Sequence, residues 1–139
     1  MGTRADFYVG RGKTAEWVGS IAWDGYPEDK DLHPLFRTTD EASFRAAIAD
    51  LAKSRDDFTL PKDGWPWAWT DSHTTDFAYA FDGGVVWGSG FGDGWWPAAS
   101  PPKNSEGTDN TVEGNTVEFP DMTAKQNVTF GSRSGILIF

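Results

Sequence analysis

The chain contains no cysteine. That excludes disulfide staples, zinc–thiolate sites and cysteine nucleophiles, and it suits a reducing compartment. Histidine is nearly absent too: His33 and His73 lie far apart, in no recognised metal-ligand spacing. No stretch approaches the roughly 20 apolar residues of a membrane span. The opening MGTRADFYVG lacks the apolar run of a secretory signal, so a cytoplasmic location is expected. Basic residues are in deficit, with 12 Lys and Arg against 21 Asp and Glu, for a formal net charge of −9. Phosphate backbones and anionic membranes attract basic surfaces, so neither direct nucleic-acid binding nor membrane association is expected. An acidic exterior serves solubility or a basic protein partner, and a local basic pocket can still hold a small anion. Catalytic signatures are missing as well. There is no Gly-Lys-Ser/Thr phosphate loop, no Gly-x-Ser-x-Gly elbow and no calcium-binding loop of alternating Asp and Asn.

What the chain does have is aromatic rings, 15% of 139 residues, so a modest core is available although aliphatic residues are few. Gly64 to Pro97 reads GWPWAWTDSHTTDFAYAFDGGVVWGSGFGDGWWP and holds six of the eight tryptophans. Phe77, Tyr79 and Phe81 alternate with Asp76, Ala78 and Ala80, which is strand periodicity. Asp82-Gly83-Gly84 is hairpin-turn chemistry, and Val85 to Gly90 supplies the returning strand.

The rest of the chain arranges itself around this hairpin. Ala5–Gly10 and Ala15–Trp23 read as a second hairpin, with Trp17, Gly19, Ile21 and Trp23 on one face. Gly19 among large rings points to a bulge or a close approach. Glu28 to Arg37 reads as a polar loop. A helix is expected to open at Thr38-Thr39-Asp40-Glu41 as a Thr38/Glu41 capping box, to carry the stripe Phe44, Ala47, Ile48, Leu51, and to end near Ser54 or Arg55. Pro61 to Thr70 is an extended ordered loop, because Gly64 and Pro66 forbid a helix. A polar excursion spans 98–115, and short strands follow at 116–119, 127–130 and 136–139. The expectation is a single α+β domain over 1–139: a mainly antiparallel sheet of about six or seven strands with one amphipathic helix packed on it.

Two stretches, DFYVGRGKTAEWVGSIAWDGYP (Asp6 to Pro27) and GWPWAWTDSHTTDFAYAFDGGVVWGSG (Gly64 to Gly90), resemble small accessory proteins encoded by tailed bacteriophages. The resemblance implies a context, a viral protein acting in the cytoplasm of a bacterial host. It implies no mechanism and transfers no site residue. Proteins of that context often antagonise host defence by occupying an effector protein or by sequestering a signalling nucleotide.

Candidate site residues follow from ring chemistry. Flat rings beside a cation hold nucleobases, and tryptophan anchors protein interfaces. Trp65, Trp67, Trp69, Trp95 and Trp96 lie on loops rich in glycine and proline, and Arg11, Arg37 and Arg133 are turn or loop cations. The same rings would equally serve as the core of a small domain. Gly88-Ser89-Gly90-Phe91-Gly92-Asp93-Gly94 is a poor phosphate cradle, because Trp95-Trp96-Pro97 denies the helix that such a loop precedes. Asp71-Ser72-His73 contains the letters of a triad, but neighbours in sequence do not converge on one point. The reading is a non-catalytic binding protein without a cofactor, directed at a host defence protein or a small nucleotide. The alternatives are a virion or assembly component, which would form a homo-oligomer, and a small hydrolase using His73 as base.

Overall fold

The computed structural model describes residues 2–100. Most of the polar excursion, the three late strands and Arg133 lie outside the described residues. Within them the α+β class holds. Six strands form one open sheet: β1 (Ala5–Val9), β2 (Glu16–Ile21), β3 (Phe58–Thr59), β4 (Phe77–Asp82), β5 (Val85–Gly90) and β6 (Trp96–Pro97), in the order β3-β2-β1-β4-β5-β6. All neighbours are antiparallel except the central pair, β1 and β4, which run parallel with Ala5 opposite Phe77 and Val9 opposite Phe81. The sheet is therefore mixed. A parallel pair needs a long crossover, and the chain between β1 and β4 supplies one that carries β2, two helices and the tryptophan loop.

Two helices are present among the described residues. α1 (His33–Phe36) occupies part of the expected polar loop, and α2 (Glu41–Ser54) is the expected amphipathic segment. Leu32, Leu35 and Phe36 are buried although their neighbours are polar, so a run too short for periodicity still supplies core. The cap of α2 is a correction. Asp40 is the N-cap and accepts from the Ser43 N–H, while the Thr38 hydroxyl donates to the Leu35 carbonyl and closes α1 instead. An Asp carboxylate at that position also favours the positive end of the helix.

Strand alternation divides the side chains between two layers. Phe7, Tyr79, Phe81 and Val86 face α1 and α2, where they join Leu32, Leu35, Phe36, Phe44, Ile48 and Leu51. Tyr8, Ala78 and Ala80 face the other way, toward Trp17, Trp65, Trp67, Trp69, Trp87 and Trp95. The two alanines of β4 thus make room for rings. The β2 register departs from simple alternation. Phe7 pairs with Gly19 but Tyr8 with Trp17, so Val18 is an extra residue in a bulge. As a result Val18 and Ile21 lie in the helix-side core, whereas Trp17 lies with the tryptophans, and the expected shared face of Trp17 and Ile21 is not formed. Gly19 is required by proximity, since a Cβ there would collide with the Phe58 ring.

Gly88 is required in the same way. It faces Tyr79 across the ladder, and a Cβ would enter the Trp96 ring. Trp96 pairs with Gly88 in the sheet and meets Phe77 edge-on at 6.4 Å. Gly88→Ala is expected to displace β6 and to cost about 1–3 kcal/mol, the usual range for overpacking. Urea unfolding followed by circular dichroism checks this.

Candidate functional site

The loop between residues 61 and 75 lies over the sheet face opposite the helices. Pro61–Asp63 and Ser72–Thr74 each form one turn of 3-10 helix, and the chain between them is irregular. Indole N–H groups pin it down. Trp65 donates to the Trp69 carbonyl (2.6 Å) and meets Trp17 edge-on at 5.1 Å. Trp67 donates to Asp6 Oδ1 (2.6 Å), and Trp69 to Thr75 Oγ1 (2.7 Å). Buried indoles find such partners because an unpaired N–H is costly.

Asp6 is the centre of this layer and is fully buried. Its carboxylate accepts from Trp67, from the Ser20 hydroxyl (2.6 Å) and from the Ser72 hydroxyl. Ser72 also bonds the Tyr8 hydroxyl at 2.7 Å. Burial pushes the Asp6 carboxyl up, and donors from Ser20, Ser72, Trp67 and Thr75 offset only part of that rise. Tyr8 is pushed well above its ordinary value, first by burial and then by the charge of Asp6. Asp6 is not among the candidate site residues read from the sequence. An acidic residue two positions before Tyr8, inside an apolar strand, was the available sign of a buried polar network.

One end of the sheet carries a different surface. Extending the strand registers by one residue aligns Ala22, Arg4, Asp76 and Phe91 across four neighbouring strands, a span of about 15 Å at about 4.8 Å per strand. Asp76 ties this row together: its carboxylate accepts from the Arg4 backbone N–H (2.8 Å) and pairs with the Arg4 side chain (3.5 Å), and its carbonyl accepts from the Phe91 N–H. The Arg4 guanidinium lies 5.4 Å from the Trp69 ring centre and 6.0 Å from that of Trp67, and the two indoles stack at 5.5 Å.

The two most exposed large hydrophobic residues among the described ones are Phe91 (59%), which ends this row, and Trp23 (49%), which follows Ala22 at its other end. Neither is held loosely. Phe91 sits at φ +49°, a region unfavourable for a bulky side chain. The backbone of Trp23 is clamped by the Arg55–Asp57 pair: its N–H donates to Asp57, and its carbonyl accepts from Arg55 (2.7 Å). Burial pushes the Asp57 carboxyl up, but Arg55 and the N–H groups of Trp23 and Ala22 more than reverse this and leave it below its ordinary value.

The expected site residues do not form one surface. Trp65 and Trp95 are buried and offer no open face to a ligand. Trp67 and Trp69 are half-buried and stacked on each other, so no slot for a base lies between them. Trp96 belongs to the helix side of the sheet. Arg11 pairs with Asp82 (2.9 Å) and covers the Trp87 ring at 4.2 Å. Arg37 is exposed at the end of α1, beside a cavity of about 320 Å³ that no tryptophan lines. Arg4 and Phe91, which were not among the candidates read from the sequence, lie in the aligned row at the sheet end, and Trp23 follows Ala22 next to it.

The triad letters separate. His73 Nδ1 contacts Asp71 at 3.0 Å, while the Ser72 hydroxyl turns inward to Asp6 and Tyr8. Among the described residues no group of three or more His, Cys, Asp or Glu side chains is placed to hold a metal ion. None of their helices is long and apolar enough to cross a membrane. No family model matches the chain, and no curated protein or solved structure matches it either.

Proposed function

We propose that the protein is a non-catalytic binding protein that docks on another protein through the sheet end formed by Trp23, Arg4, Asp76 and Phe91. The observation that carries this reading is Phe91, a mostly exposed ring held in a strained backbone conformation at the edge of an ordered row. Strain of this kind persists where the surrounding structure enforces it, and it is common at binding sites. Exposed aromatic anchors are the residues that dominate interface energetics. Asp24, Asp71 and Asp93 lie near this end in the chain, and the molecule as a whole is acidic. The partner surface is therefore basic around an apolar pocket. In the phage context implied by the resemblance, that partner is a host defence protein and the compartment is the host cytoplasm.

The test compares wild-type protein with Phe91→Asp and Trp23→Ala as baits in lysate of a bacterial host, followed by reconstitution with the purified partner. One basic protein is expected to form a complex of defined stoichiometry with the wild type. Its affinity should fall at least about tenfold in Phe91→Asp, the loss of one strong anchor, while circular dichroism and melting temperature stay unchanged. Retention of the same complex by both variants overturns the proposal. So does sedimentation showing that the surface instead joins two copies of this chain.

A further inference from the structure

The exposed Phe91 ring stands on a turn that its own residue type disfavours. Phe91 and Gly92 are the two central residues of Gly90-Phe91-Gly92-Asp93. Both have positive φ (+49° and +76°), and the Asp93 N–H donates to the Gly90 carbonyl at 2.9 Å. Glycine, asparagine and aspartate are the usual occupants of such a turn. A phenylalanine in the first central position is crowded against its own backbone, so the segment by itself would relax and carry the ring elsewhere. The bond from the Phe91 N–H to the Asp76 carbonyl fixes only the entry to the turn.

A second constraint comes from His73. The side of Gly92 on which a Cβ would stand is filled by this residue: that atom would lie 3.1 Å from the His73 carbonyl oxygen and 3.2 Å from Cδ2 of its ring. His73 is itself held in place. It belongs to the 3-10 turn Ser72–Thr74, which is anchored on both sides: the Ser72 hydroxyl donates to Asp6, and Thr75 Oγ1 accepts from the Trp69 indole. Asp71 accepts from the His73 backbone N–H and contacts ring Nδ1, both at 3.0 Å, which orients the imidazole. A chain of contacts thus runs from the buried Asp6 network out to the turn that bears Phe91.

We propose that the His73 imidazole, aimed by Asp71, is the positioning residue that holds Phe91 in its strained, outward conformation. Its part in docking rests on the surface proposed above, whereas the brace itself is a property of this chain alone.

Amide hydrogen exchange of the full chain, read by NMR, tests the brace without a partner. The Phe91 and Asp93 amides report on the turn, and the Trp23 amide, bonded to Asp57, is the control at the other end of the row. His73→Ala removes the ring and keeps the carbonyl. It should speed exchange at Phe91 and Asp93 about fivefold or more, the factor that goes with one contact of ordinary strength, with Trp23 and the melting temperature unchanged. The discriminating comparison uses Phe91→Asn, because asparagine accepts positive φ and relieves the strain. In that background His73→Ala should change exchange at Asp93 by less than about twofold. Exchange at Phe91 and Asp93 that ignores His73→Ala overturns the proposal. So does equal acceleration in both backgrounds, or acceleration that extends to Trp23, since either would make His73 ordinary packing. The pull-down with Phe91→Asp judges the docking surface separately: the brace can stand where docking fails, and docking can stand where the brace fails.

Discussion

Asp6→Ala is expected to destabilise the protein by about 3 kcal/mol or more. The substitution leaves Ser20, Ser72 and the Trp67 indole without their common acceptor, and an unpaired buried donor costs about 1–3 kcal/mol. Against that stands the relief of no longer burying a carboxylate, so the loss is smaller than three full penalties. Domains of this size retain only about 5–15 kcal/mol in total, and chemical denaturation should resolve the change easily. Asp6→Asn keeps the volume and one carbonyl acceptor, and should lose less.

The same pair of proteins carries a pH signature. The folded pKa of Asp6 lies above its ordinary value, so the native state holds this proton more tightly than the unfolded chain does. Its contribution to stability is fully present below the unfolded value of 3.8 and is lost as pH rises through the raised folded value. Asp57 and Asp40 act in the opposite sense. Both are held below their ordinary value, Asp40 by the backbone N–H of Ser43, and their contribution is lost as pH falls through their folded values. The stability of wild type minus that of Asp6→Asn removes these shared terms. This difference should decline as pH rises above about 3.8 and then level off. A flat difference across that window would mean that Asp6 is not titrating from a buried position.

Trp65→Ala should cost about 3–5 kcal/mol, the range for a buried tryptophan truncated to alanine. Trp65 is 8% exposed, packs edge-on against Trp17 and ties the loop to itself through the Trp69 carbonyl. From the sequence, two readings of this ring stood open, a platform for a ligand or part of the core. Its burial supports the second, so the melting temperature of Trp65→Ala should fall before any binding can be assayed. A Trp65→Ala protein as stable as wild type would place this ring at the surface after all. Binding is better probed at Phe91, which is exposed and carries little of the core.

Several elements were legible because they are encoded locally. The alternation from Phe77 to Phe81 and the Asp82-Gly83-Gly84 turn appear as β4, β5 and a two-residue connection with Gly83 and Gly84 at φ +65° and +83°. The stripe Phe44, Ile48, Leu51 is the buried face of α2. The cap was misplaced by two residues because both Thr38 and Asp40 offer a side-chain acceptor, and only the turn closing α1 uses up Thr38. The β2 bulge was invisible because one extra residue changes no composition, yet it sends Trp17 and Ile21 to opposite faces.

The sequence by itself determined the class of the protein: acidic, rich in tryptophan, without cysteine, its strands and main helix written as periods of two and 3.6 residues. Those periods arise from backbone geometry and need no distant partner. Only the tertiary structure decided that β1 and β4 run parallel, that Asp6 is the buried acceptor beneath the indoles, and that most loop tryptophans face inward while Phe91 and Trp23 face out. Each of these depends on contacts between residues dozens of positions apart, such as Asp6 with Ser72 or Arg4 with Asp76. The propensity of a single segment does not encode the free energy of such a contact, because desolvation and hydrogen bonding are settled only when both partners are in place.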